Sequence, residues 1–246
     1  MPATPAWPPK SLPRLFVKQP LEEGTLVELD ARQANYLGNV LRLNSGAQLL
    51  AFDGFSGEWL ARISAAARKS MTLTIERRTR EGESIPDVWL AFAPVKRAQT
   101  DWLVEKATEL GAARLVPVMT ERTITERVRV ERLESIAIEA AEQCGRTRLP
   151  DIDEAMTLDH FLRDRDSSRS LYFADEAGGE WAPDAFTQGA CVILTGPEGG
   201  FTDNERASIR SAPNSVGISL GPRILRAETA ALAALAVYMA VAGDWR

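Results

Sequence analysis

Between residues 12 and 80 the apolar positions fall in short runs separated by turn-forming residues. The runs are Arg14-Leu-Phe-Val17, then 25–29, 48–52, 58–63 and 71–75. β-prone runs at this spacing predict the strands of a small β-barrel or closed sheet. One helical candidate, 31–43, lies between the second and third runs. Residues 81–86, EGESIP, are polar and contain glycine and proline, which suits a linker. A domain at 12–80 and a second at 85–246 are therefore expected.

Past the linker the rhythm changes. An apolar run at 88–93 predicts a buried strand, 100–110 a helix stopped by Gly111, and 114–118 a second strand. Leu133, Ile136, Ala137, Ala140, Ala141 and Cys144 fall at i, i+3, i+4, i+7, i+8 and i+11, the stripe of an amphipathic helix that Gly145 stops. On that stripe Cys144 reads as a core residue. Further strands are expected at 170–174, 191–195 and 216–220, and Thr202 with Glu205 forms a capping box opening a helix at Asp203. An almost wholly apolar helix follows from about Ala227. Strands alternating with helices predict an α/β fold with a parallel sheet covered on both faces. In such sheets ligands bind outside the carboxyl ends of the strands.

Composition narrows the chemistry. The apolar stretch 230–242 is too short to span a bilayer, so no membrane association is expected. Residues 1–10 lack the charged head and apolar core of a signal peptide, and Cys144 and Cys191 form no CxxC pair, so a cytoplasmic protein without a disulfide framework or a metal site is expected. His160 is the single histidine and lies in a polar stretch, which argues against a Ser-His-Asp triad and reads as a surface residue. The net charge of −5 conceals a division, because the basic excess lies in the front third. That is a weak hint of a phosphate-facing surface there.

Two glycine turns sit at carboxyl ends of predicted strands: GPEGG at 196–200 after Thr195, and 220–226, LGPRILR, before the apolar helix. Glycine lets backbone pass close to a ligand, and the free N–H and C=O groups can read a base edge. Neither turn matches GxGxxG or GxxxxGK[ST], so a nucleoside without phosphates fits better than NAD or ATP.

The turns, as Gly196-Pro-Glu-Gly-Gly-Phe201 and LGPRILRAETA at 220–230, closely resemble the RsmE family of SPOUT methyltransferases. The likeness extends through 105–111, Thr120-Glu-Arg122, 139–146 and Pro150, and in front through 14–17 and Val40-Leu-Arg42, so it spans essentially the whole chain. It implies a PUA-like β-barrel that binds RNA, followed by a SPOUT-type parallel sheet with a C-terminal trefoil knot holding S-adenosyl-L-methionine. It also implies a homodimer and methylation of uridine N3 in 16S ribosomal RNA of the small ribosomal subunit. Where the family often has a histidine pair, this chain has Asn35-Tyr36, so the resemblance does not carry a direct RNA role over to that spot.

The residues expected around the cofactor are Leu194, Gly196, Glu198, Gly199, Gly200, Leu220, Gly221, Ile224 and Leu225. Arg226, Glu228 and Glu198 are the catalytic candidates, because the N3 proton must leave and a cation would stabilise the uridinate. Structural alternatives stand beside them: Glu198 holding its turn, Glu228 capping the helix. Arg14, Arg42, Arg122, Gln143, Arg146 and Arg223 are candidates for RNA contact, with ordinary surface placement as the alternative. Two other functions compete: a noncatalytic RNA-binding module, and a ribose 2′-hydroxyl methyltransferase.

Overall fold

The structure, a computed structural model, describes residues 12–67, 70–125 and 127–245; the leader reading of 1–10 lies outside them. The chain divides into two units, 1–83 with 145–148, and 84–144 with 149–246.

The first unit is a five-stranded sheet in the order β1-β3-β4-β5-β2, built from β1 (Arg14–Phe16), β2 (Leu26–Leu29), β3 (Gln48–Phe52), β4 (Glu58–Ala67) and β5 (Ser70–Arg80). β1 pairs with β3 in parallel, and every other pairing is antiparallel. Alternate side chains, among them Leu49, Ala51, Ala61, Ile63, Leu73 and Ile75, close the core. The predicted helix 31–43 is shorter than expected. α1 (Ala31–Asn35) starts on a capping box in which Asp30 accepts from the Gln33 N–H and Gln33 accepts from the Asp30 N–H. It then widens into a π-turn, Tyr36–Val40, closed by Leu41 N–H donating to the Tyr36 carbonyl at 3.0 Å. Gly38, Asn39 and Val40 are poor helix formers, and Arg42 at φ 57° ends the segment.

The second unit is an eight-stranded sheet, all of whose pairings are parallel. In chain order it comprises β6 (Val88–Phe92), α2 (Arg97–Glu109), β7 (Arg114–Met119), α3 (Val130–Cys144), β8 (Asp151–Ile152), β9 (Met156–Thr157), α4 (Leu158–Asp164), β10 (Ser170–Ala174), β11 (Glu180–Trp181), α5 (Ala182–Ala185), β12 (Cys191–Thr195), α6 (Asp203–Ser211), β13 (Ser215–Ser219) and α7 (Ala227–Val241). The spatial order is β11-β13-β10-β12-β6-β7-β8, with β9 also on β7.

Both faces are covered, as the near-continuous apolar strands require. Along β12, Cys191 and Ile193 join a core with α2, α3, α5 and α7, while Val192 and Leu194 join a second core with α4 and α6. Burial pushes the Cys191 thiol up to about 12, which keeps it neutral inside the first of these cores.

Cys144 departs from expectation: it is exposed, not in the core. The packed face of α3 ends at Ala141, and Gly145 at φ 87° breaks the helix one residue after Cys144. His160 is a surface residue on α4, 2.7 Å from Asp164 one turn on. Among the described residues no helix is long and apolar enough to cross a membrane.

Candidate functional site

Both glycine turns leave the same edge of the second sheet. Leu194 is level with Phe173, and Phe173 with Gly217, so β12 and β13 flank β10 and their carboxyl ends lie about 10 Å apart at two strand spacings. The chain between β10 and β11 emerges between them.

The first turn is braced from all sides. Gly200, at φ 66°, lies against the Glu176 carboxylate, which fills the space a Cβ would need. Arg122, from the loop after β7, donates to the Gly199 carbonyl at 2.6 Å, and its aliphatic stem would meet a Cβ on Gly199 at 3.3 Å. The Phe201 ring packs under Gly196, 3.2 Å from where its Cβ would stand.

Past the turn, the buried Glu205 accepts from the N–H groups of Thr202 and Glu121 at 2.9 and 2.8 Å. It thereby joins the start of α6 to the loop after β7. That loop is tied in turn to the one after β6, since the Thr125 hydroxyl donates to the Val95 carbonyl at 2.6 Å. Behind the turn the Asp175 side chain, 1% exposed, takes Arg206 at 2.8 Å and Arg210 at 2.5 Å. Glu198 is exposed at the crest and pairs with no described residue.

The second turn is open. Gly221 has φ 111°, a region that favours glycine, yet nothing stands within 4 Å of where a Cβ would project. Its N–H lies 3.5 Å from Ser219 Oγ, the outer limit of a hydrogen bond. Leu220 and Leu225 are half-buried, and Ile224 is 90% exposed.

Arg223 and Arg226 are exposed without an ion pair among the described residues. Arg226 occupies the N-cap of α7 with no side-chain cap bond. A cation beside a helix N-terminus is electrostatically unfavourable, so helix stability does not account for two arginines there. Glu228, in the first turn of α7, is 8% exposed, and its carboxylate makes no hydrogen bond or ion pair with a described residue.

The structure thus brings Gly196, Glu198, Gly199, Gly200, Leu220, Gly221, Ile224, Leu225, Arg226 and Glu228 to one edge, or rim, of the sheet, whereas the Leu194 side chain is fully buried in the core and only its backbone reaches that edge. The RNA candidates separate. Arg14 is buried in the first unit, on Glu58 at 2.8 Å and over the Phe52 ring at 4.5 Å. Arg146 is buried too, 3.5 Å from Glu83. Arg42, Gln143 and Arg223 are exposed, and Arg122 is spent on the Gly199 turn. Sequence reading missed the brace of Asp175, Arg206 and Arg210, although two arginines four apart on α6 and an aspartate just past a strand were a usable signal. It read Glu205 as a cap and missed its bond to the loop after β7.

The residues at the rim fit S-adenosyl-L-methionine. Open space over Gly221, apolar walls at Leu220 and Leu225 and exposed backbone at two turns suit a flat base, and Glu198 and Glu228 suit a sulfonium charge. Among the described residues no cluster could hold a metal ion.

A parallel sheet with such a rim, following a small β-unit, defines the class: residues 83–239 match the family model described as an RNA methyltransferase domain, and residues 29–76 the one described as an RNA methyltransferase PUA domain. The ribosomal RNA small subunit methyltransferase E of Rickettsia conorii is 31% identical over 91% of this chain and 93% of its own. That of Synechocystis is 34% identical over 85% of this chain and 71% of its own. A Legionella pneumophila putative methyltransferase, solved with bound cofactor SAM, superimposes with a TM-score of 0.88 at 32% identity, covering 95% of this chain and 99% of that one. The Neisseria gonorrhoeae ribosomal RNA small subunit methyltransferase E, bound to S-adenosyl methionine, gives 0.87 at 29% identity over 96% and 100%. The chain belongs to the RsmE family of SPOUT RNA methyltransferases.

Proposed function

We propose that the protein transfers a methyl group from S-adenosyl-L-methionine to N3 of a uridine in 16S ribosomal RNA. The observation that carries this is the open, cationic turn 220–226 facing the braced GPEGG turn on one sheet edge. The resemblance and the relatives' names support the RNA substrate. In this reading residues 12–80 form the RNA-binding domain and 85–246 the catalytic domain, with its C-terminal part knotted. The enzyme acts in the cytoplasm as a homodimer, and the apolar α7 helps to form the interface.

S-adenosyl-L-methionine supplies an activated methyl on a sulfonium, which leaves as a neutral thioether. The chain's own residues then have three tasks. Backbone at Leu194, Gly196, Leu220 and Gly221 would hold the adenine, and the apolar Leu225 and Ile224 would exclude water from it. Uridine N3 carries a weakly acidic proton, and Glu228 and Glu198 are the carboxylates on this rim that can take it. Arg226 places a guanidinium where negative charge develops on the uracil oxygens. Arg223, beside it, and Arg42 bind phosphate.

Mass mapping of 16S ribosomal RNA from cells lacking the gene tests this reading. The expected result is loss of one N3-methyluridine, restored by the wild-type gene. An unchanged N3-methyluridine pattern with a missing ribose methyl would transfer the assignment to 2′-hydroxyl chemistry.

A further inference from the structure

We propose that the edge of the first unit where the β3–β4 hairpin turns is a platform for single-stranded RNA: Phe55 stacks on one unpaired base while Lys18 and Arg80 hold the flanking phosphates. The proposal rests on the reading of the protein as an RNA methyltransferase. Phe55 is 85% exposed, yet the backbone beneath it is anchored. The buried Asp53 carboxylate accepts from the N–H groups of Leu21, Phe55 and Ser56 at 3.0, 2.9 and 2.8 Å, and from the Ser56 hydroxyl at 2.7 Å. Trp59 Nε1 donates to that same hydroxyl at 2.9 Å. Burial acts to raise the Asp53 carboxyl, but these donors outweigh it and hold the group below its ordinary 3.8, so the anchor stays charged near neutral pH.

Gly54 and Gly57 have φ of 90° and 100°, conformations suited to a tight tip. A side chain at Gly57 would run into the Arg80 carbonyl, and one at Gly82 would come within 2.7 Å of the Phe55 carbonyl. The tip is therefore seated on the backbone at 80–82. An apolar ring alone on a surface is common. One displayed on a tip with this many anchors loses little further freedom when it stacks, which favours binding.

The sheet register sets cations on both sides. Phe16 pairs with Phe52 in parallel and Val17 N–H donates to the Phe52 carbonyl at 2.9 Å, so the bend that follows, with Lys18 exposed and without an ion pair among the described residues, leaves the sheet beside the strand that leads into the hairpin. On the far side Arg80 is level with Glu58; its side chain pairs with Glu58 at 3.2 Å and donates to the Gly145 carbonyl, and it remains 43% exposed, with its other guanidinium N–H groups left for a phosphate. Arg78, over the Trp59 ring, pairs with Glu81 at 2.8 Å, and Glu58, the acid that follows the tip in sequence, is held by Arg14 at 2.8 Å as well as by Arg80. Cation, aromatic and cation along one edge is the pattern by which single strands are held, the backbone by charge and the base by stacking.

The test uses the full chain and a single-stranded RNA oligomer with a central 2-aminopurine, titrated by fluorescence over a range of salt concentrations. Phe55→Ala and Phe55→Leu are expected to weaken binding about 5- to 100-fold, and Phe55→Trp to restore it, as base stacking on an aromatic requires. The salt slope should stay at the wild-type value in all three, because phenylalanine carries no charge. Lys18→Ala should reduce the slope by about 0.7. Wild-type affinity in Phe55→Ala, or in Phe55→Leu, would overturn the platform. So would a Phe55→Ala defect seen with intact small ribosomal subunits but not with RNA, since the ring would then meet a protein. A wild-type protein that binds neither oligomer nor subunit would instead overturn the RNA reading itself.

Discussion

The two glycine turns of the second unit sit on one sheet edge but are held in opposite ways. GPEGG is wedged between Glu176, Arg122 and Phe201, and its exit is pinned by Glu205. The turn at 220–226 has an open glycine, a half-buried leucine pair, a solvent-facing Ile224 and two arginines without an ion pair among the described residues. The contrast teaches a division of labour. In the proposed function, one wall of the cofactor site is built before the cofactor arrives, and the other is completed by cofactor and substrate.

The largest expected effect falls on the open wall. Arg226→Ala should lower the methylation kcat by about 10²-fold or more, the size of losing one group that stabilises developing charge. Cofactor affinity, by calorimetry, should stay within about threefold, because the α7 backbone at the N-cap does not depend on that side chain. Loss of cofactor binding together with turnover would make Arg226 structural and erase the contrast.

A smaller effect is expected on the braced wall. Arg122→Met removes a charge-assisted bond to the Gly199 carbonyl. It should raise the KM for S-adenosyl-L-methionine about 5- to 10-fold and leave kcat at saturation near wild type, with Arg122→Lys in between. A defect in RNA affinity with cofactor KM unchanged would return Arg122 to the RNA-contact role that sequence reading assigned it.

Much of this was legible from sequence. The strands at 48–52, 170–174 and 191–195 coincide with β3, β10 and β12, because apolar runs between turn residues are strong signals. Both turns were placed at strand ends for the same reason. The local exception at Tyr36–Val40 was not legible, since a π-turn repeats no apolar pattern. Nor were α4, β8, β9 and β11, which are too short to show periodicity and are fixed by neighbours. Within the site, residue type identified charge but not its use. Arg14, Arg122 and Arg226 look alike in the chain, yet one is buried on Glu58, one holds a turn and one has no ion pair among the described residues. That difference is tertiary and appears only when distant segments meet.

The most direct test of the two-wall account is amide hydrogen exchange at 196–202 and 220–226, with and without S-adenosyl-L-methionine. The account predicts that the braced turn is protected in both states, and that 220–226 exchanges quickly alone and slows markedly with cofactor. Equal, slow exchange of both turns before cofactor is added, or no change at 220–226 when it binds, would contradict it.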